Sequence, residues 1–294
     1  MPEFGWKKDE RDERDYYHLT ARREILPAVI DLSAFLPLVR NQGSLGSCTG
    51  FGIGVNVTAI CKQQRADPEW ESPTWIYNLG RKKAGNLAKD SGAYPRDCLD
   101  GLVASGLLKE HFWKYDPGQL DITDPQVYQL NARKYADFAY YRCVDGVDGI
   151  LSALAAGHLV SIGSPWFDKW MNIGSSGLLP EVVSTDEVVG GHETCIFKAD
   201  QTAQIFYGMN SWGEGWGSKG IYRMPFSAIP VFKQLWGYDA HYIIFTAVPV
   251  PPVPPGPTPS PCKWGNGVAT VLNTVFLQKA RGREGRFFYG NPSK

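Results

Sequence analysis

The sequence predicts an α+β protein of two lobes: a helical N-terminal lobe, then a lobe of antiparallel strands. Three observations carry that expectation. Helical spacing is concentrated before residue 158, and short apolar runs of strand character dominate from 159 to 248. A proline-rich stretch, 249–261, then separates this body from a basic tail.

The elements follow in order. Residues 1–25 are charged and poorly periodic and read as an extended arm on the surface. "ILPAVIDLSAFLPLV" (25–39) holds prolines between short apolar runs and reads as strand or coil. After a loop rich in Gly and Ser, Cys48 to Gln64 reads as a helix with Phe51, Val55 and Ala59 on one face. Gly50, Gly52 and Gly54 each cost that helix about 1 kcal/mol against Ala, so something must pack very close to it. Further helices are expected at 72–85, 95–106 and 146–158. Strands are expected at 159–163, 192–200, 203–211, 220–225 and 241–248.

The 249–261 segment lacks most backbone donors and reads as extended polyproline. Residues 262–294 carry six Lys or Arg against the single acid Glu284 and show strand-like alternation. One hairpin of that size is unstable alone, so this segment is expected to dock on a protein scaffold.

Composition excludes several classes. The 294 residues are 43% hydrophobic, enough for a substantial core, and the formal net charge is zero. Nucleic acid is therefore an unlikely partner. No run approaches the roughly 18 apolar residues of a membrane span. The charged N-terminus has no apolar core of a secretory signal, so a cytoplasmic or virion-associated protein is expected. Six cysteines show no metal spacing, and free thiols are expected; a pairing of Cys98 with Cys143 stays open. No metal and no cofactor is expected. "GFGIGV" fails as a dinucleotide loop, because Val55 and Val57 stand where a third glycine is needed.

The chemistry-bearing residues lie far apart in the chain. Cys48 opens a helix, where backbone N–H groups favour a thiolate. Gln42, six residues earlier, carries an amide able to donate to an oxyanion. Among the five histidines, His192 alone opens an apolar strand after two glycines. Asn210 ends a later strand, beside Trp212, and can accept from a ring N–H while the indole screens the bond from water.

Cys48 with Gln42, then His192, then "NSWGEGWGSKGIYRM" (210–224), resembles the papain family of cysteine peptidases over about residues 26–248. The resemblance implies a two-lobe papain-like fold, with the catalytic helix in the N-terminal lobe and an antiparallel, barrel-like C-terminal lobe. It implies that Cys48 is the nucleophile, His192 its base, Asn210 the orienting group and Gln42 an oxyanion donor. It implies a polypeptide substrate, bound near Ser91, Gly92, Tyr94, Pro95, Ile162, Gly191 and Trp212, with Tyr94 and Ile162 favouring an apolar side chain two residues before the cut. Two departures stand out. Leu45 replaces a cysteine that the family pairs in a disulfide, and Thr49 replaces the usual Trp after the nucleophile. Only about 25 residues precede the domain, which puts inhibition by the family's long prosegment in doubt and suggests bacterial or phage relatives. The basic tail suggests tethering to a phage virion or a cell surface. The alternative is a structural virion protein reusing the domain with little activity.

Overall fold

The computed structural model describes residues 4–12, 17–18, 26–135, 137–246 and 277–278. Among these described residues five α-helices form: α1 Cys48–Arg65, α2 Pro73–Lys83, α3 Pro95–Ser105, α4 Gly146–Ala155 and α5 Ala228–Gln234. Nine strands among them form one sheet: β1 Tyr17–His18, β2 Val29–Asp31, β3 Phe138–Cys143, β4 Val160–Phe167, β5 Val188–Asp200, β6 Ile205–Met209, β7 Ile221–Pro225, β8 Asp239–Phe245 and β9 Leu277–Gln278. Their order is β7-β6-β5-β4-β8-β3-β1-β9, with β2 on β5. Every pairing is antiparallel except β1 with β3. Among the described residues nothing joins β7 to β9, so the sheet stays open where a barrel-like closure was expected.

The four expected helices form within a few residues of their anticipated bounds. Serine and proline start α2 as a cap and first residue: Ser72 Oγ accepts from the Trp75 N–H at 3.1 Å. Two elements were not anticipated. β3, "FAYYRC", pairs along β8 from Phe138↔Phe245 to Arg142↔His241. α5 contains Pro230, which reads locally as a helix breaker yet is tolerated in a short first turn. β4 runs on through Pro165 to Phe167, longer than the expected 159–163.

α1 is buried on all sides from Cys48 to Cys61 rather than on one face. It lies between two hydrophobic clusters, one with the sheet and α4, the other with α2, α3 and β8. The glycines account for how it fits. A Cβ at Gly50 would stand 2.5 Å from Pro73 O on α2, and one at Gly52 would stand 2.9 Å from Glu193 Cγ on β5. The helix is therefore clamped against both α2 and β5, and its first residue is carried to the end of β5 where His192 sits. Cys48, Cys61, Cys98, Cys143 and Cys195 are all buried free thiols, so Cys98 and Cys143 do not pair. The linker 249–261 and nearly all of 262–294 fall outside the described residues.

Candidate active site

Cys48 is the first residue of α1 and is wholly buried. The loop before it is tied down on both sides. The Gln42 N–H donates to Ser211 O at 2.8 Å and Ser211 Oγ donates to Gln42 Oε1 at 2.6 Å. Tyr115 OH donates to Gln42 O and meets Ser47 Oγ, both at 2.6 Å. Gly46 N–H donates to one Asp90 oxygen at 2.9 Å, and Tyr77 OH donates to the other at 2.5 Å. Gln42 thus lies in the wall of the site, and its amide donates to Leu45 O at 2.7 Å.

His192 is also fully buried, and its Nε2 lies 2.7 Å from Asn210 Oδ1. That oxygen only accepts, so Nε2 carries the proton and neutral His192 presents a bare Nδ1. Among the described residues Nδ1 has no hydrogen-bond partner. The backbone N–H groups of Glu193 and Thr49 lie near the Cys48 sulfur and favour its ionised form. Trp212 stacks on the imidazole at 4.7 Å and 33°, while Trp166 meets it edge-on at 4.8 Å. Trp212 thus lies over the imidazole, where the screening expected of it would act. Trp166 was missed, because "SPWF" gives no local sign of lying beside a site.

The arm overturns an expectation. Instead of lying on the surface, residues 4–9 run through the cleft. Phe4 packs edge-on against His192 at 6.1 Å and Trp212 at 6.2 Å. The Gly5 backbone N–H lies near the Cys48 sulfur and favours its ionised form. Gly5 O accepts from Ala93 N–H at 2.8 Å, Trp6 N–H donates to Gly191 O at 3.0 Å, and Lys7 N–H donates to Ala93 O at 3.1 Å. These bonds make Trp6 a parallel bridge partner of Ala93. Asp9 is buried, and its carboxylate accepts from the Arg96 N–H at 3.1 and 3.2 Å, capping the start of α3 from a distant part of the chain. Its own N–H donates to Asp239 Oδ2 at 2.8 Å.

Burial by the arm decides the electrostatics. The Cys48 thiol is pushed up to about 12, chiefly by desolvation, which outweighs the N–H bonds and the helix position expected to lower it. Desolvation likewise lowers His192 to about 4, against the pull of its bond to Asn210. The closed site therefore holds a neutral thiol and a neutral imidazole, not an ion pair.

The residues expected to bind substrate divide clearly. Gly92, with φ +70°, lies under Gly5 O, and its N–H donates to Tyr77 OH at 3.0 Å. Gly191 lies under the Trp6 ring, and Tyr94 faces Lys7 Nζ at 5.5 Å. Ser91 Oγ turns back to Gly92 O at 3.4 Å, Pro95 opens α3, and Ile162 belongs to the core. The structure adds Ala93, Gly163, Glu193 and Asp239 to this surface. On the far side of Trp212, a groove of about 510 Å³ lined by Asn41, Ser44, Met171 and Trp216 remains open.

This fold, with a thiol at the start of α1 and an Asn-held histidine on β5, is of the class of the papain-like thiol peptidases. Comparison with known proteins places the chain there. It is 28% identical over 255 residues, 77% of this chain and 82% of the relative, to an uncharacterised peptidase C1-like protein of Acanthamoeba polyphaga mimivirus. It superposes on xylellain, a cysteine protease from Xylella fastidiosa, with a TM-score of 0.72 and 25% identity, covering 82% of this chain and 95% of that one. Digestive procathepsin L 3 of Tenebrio molitor shares the fold at a TM-score of 0.63 and 18% identity, over 79% of this chain and 74% of that one. No family model matches the chain. The chain has a papain-like fold and is similar to C1-type cysteine peptidases.

Proposed function

We propose that the protein hydrolyses peptide bonds through Cys48, His192 and Asn210, and that the closed arrangement is a latent state. The observation that carries this is the 2.7 Å His192–Asn210 bond, which leaves the buried Nδ1 without a partner among the described residues, while the next residue along the strand, Glu193, has its backbone near the Cys48 sulfur. With the arm displaced, His192 takes the thiol proton and the thiolate attacks the carbonyl. His192 then gives the proton to the leaving amine. The Cys48 N–H and the Gln42 amide hold the oxyanion, each worth about 2.7–4 kcal/mol. The arm itself is spared by its direction. It runs from Trp212 towards Ala93, while a substrate whose leading residues lie along Ala93 runs the other way. Gly5 accordingly offers the sulfur an N–H rather than a carbonyl carbon.

The test is kinetic. In an arm-displaced chain, Asn210→Ala should lower kcat about tenfold or more with KM nearly unchanged, because Asn210 orients the base without touching substrate. His192→Ala should cost more. Equal losses from Asn210→Ala and from a surface substitution would remove Asn210 from the site.

We also propose that residues 262–294 tether the enzyme to a larger assembly such as a virion or cell surface. The support is the proline-rich 249–261 segment, which spans about 40 Å when extended, and the basic, aromatic-rich tail. Truncation after Val248 should leave hydrolysis of small peptides intact and abolish assembly. Loss of activity would instead make the tail part of the catalytic body. A second reading, a structural protein reusing the domain, is favoured by one observation: Cys48 has no exposed surface. Whether that burial is permanent or lasts only as long as the arm stays separates the two.

A further inference from the structure

The side chain of Trp6 marks a built slot. Glu193, Gly163 and Asp239 are register partners across β5, β4 and β8. Directly opposed residues share a face of a sheet, so two acids flank a glycine on one surface. The indole lies on that glycine: a Cβ at Gly163 would stand 2.0 Å from Trp6 Nε1, and one at Gly191 would stand 2.6 Å from Cε3. Trp6 Nε1 donates to Asp239 Oδ2 at 3.1 Å. Asp239 Oδ1 accepts from Arg142 at 2.5 Å. Glu193 is 1% exposed, and neither carboxyl oxygen has a hydrogen-bond partner among the described residues.

We propose that this slot receives a basic side chain of the substrate, arginine above all, at the position where Tyr94 and Ile162 led to the expectation of an apolar one. The inference rests on the peptidase reading and names the substrate class of that site. When the arm leaves, Asp239 Oδ2 loses both donors, Trp6 Nε1 and the Asp9 N–H. Left in the row are two carboxyls and one guanidinium, Arg142, already engaged on the other oxygen of Asp239. Arg96, whose charge also reaches Asp239 from the start of α3, is held by Glu10 O at 2.6 Å while the arm is docked. Glu193 is driven well above its ordinary range, first by burial and then by the charges of Asp9 and Asp239. An incoming guanidinium supplies several donors and a positive charge together, and it can serve both acids. An apolar side chain would fill the slot and leave these groups buried without partners.

Two readouts test this. In the full chain, Trp6→Arg should keep Cys48 protected from iodoacetamide at pH 7, whereas Trp6→Leu should raise its labelling about tenfold. Asp239→Asn, or Glu193→Gln should that variant fail to fold, should erase the difference. Greater protection by Trp6→Leu overturns the proposal. In the chain carrying Gly5→Ala, fluorogenic peptides with Arg, Lys, Leu, Phe or Trp two residues before the cut should rank Arg first. Its kcat/KM should exceed that for Leu about tenfold, and a preference for Leu, Phe or Trp overturns the proposal. If no peptide is cleaved, the peptidase reading fails, and the Trp6 ranking alone decides the chemistry of the slot.

Discussion

Gly5→Ala is expected to convert a protected thiol into a reactive one. A Cβ at Gly5 would stand 1.6 Å from Gly46 O and 2.3 Å from its carbonyl carbon. Both are backbone atoms, in a loop fixed by the Gly46–Asp90 bond and by Tyr115, so no side chain can swing aside. One methyl group must evict the arm from the sulfur. With the arm out, the chief cause of the raised Cys48 pKa and of the lowered His192 pKa is relieved, and the pair can exchange its proton. Iodoacetamide labelling of Cys48 at pH 7, read by peptide mass spectrometry, should rise about 100-fold or more. Peptide hydrolysis should appear with it. Cys48→Ala on that background should remove hydrolysis by about a thousandfold or more, as loss of a nucleophile does. Unchanged labelling would show that the arm is not the cover. Fast labelling without hydrolysis would favour the structural-protein reading.

Much of this site was legible in the sequence, for particular reasons. Cys48 and Asn210 stand at ends of elements, where a glycine-rich approach and a strand stopped by "NSWG" are local signals. His192 lies inside β5, just after the "VVGG" that begins the strand four residues earlier than the sequence suggested. The close packing around α1 followed from its glycines. What escaped is what depends on remote partners. Phe4, Gly5 and Trp6 are too few to show a period, and the charged run behind them reads as solvated surface. Asp239 and Glu193 inside strands look like misplaced acids until residues 230 positions away, Trp6 and Asp9, are seen on one of them. The helix-start argument for a low Cys48 pKa was sound locally and lost to burial, a tertiary quantity no spacing records.

That burial also sets how the latent state should answer to pH. Asp9 is raised to about 8 in the docked arm, first by desolvation and then by the charge of Asp239, against the pull of Arg96 and Arg142. Asp239 and Glu193 are raised as well, by burial first. A released Asp9 returns to the ordinary value near 3.8. The docked arm therefore binds more protons than the free one, and docking weakens as pH climbs from about 4 to about 8. His192 works the other way. Its pKa of about 4 under the arm, against 6.5 when free, makes docking weaken as pH falls from 6.5 to 4. His241, beneath Asp9, is held neutral by burial and by Arg142 and Arg96, which remain when the arm leaves. Between pH 4 and 6.5 the Asp9 and His192 slopes oppose each other, so protection of Cys48 should be nearly flat. From 6.5 to 8 the His192 slope no longer opposes the carboxyls, and at about 1.36 kcal/mol per pH unit Asp9 by itself raises the fraction open about 30-fold. Above that, ionisation of the freed thiol continues the trend. Labelling of Cys48, divided at each pH by the rate in the Gly5→Ala chain, measures that fraction. Asp9→Asn should flatten the rise above 6.5 and make protection grow from pH 4 to 6.5. Protection that strengthens with pH above 6.5 in the unsubstituted chain would refute a proton-held arm.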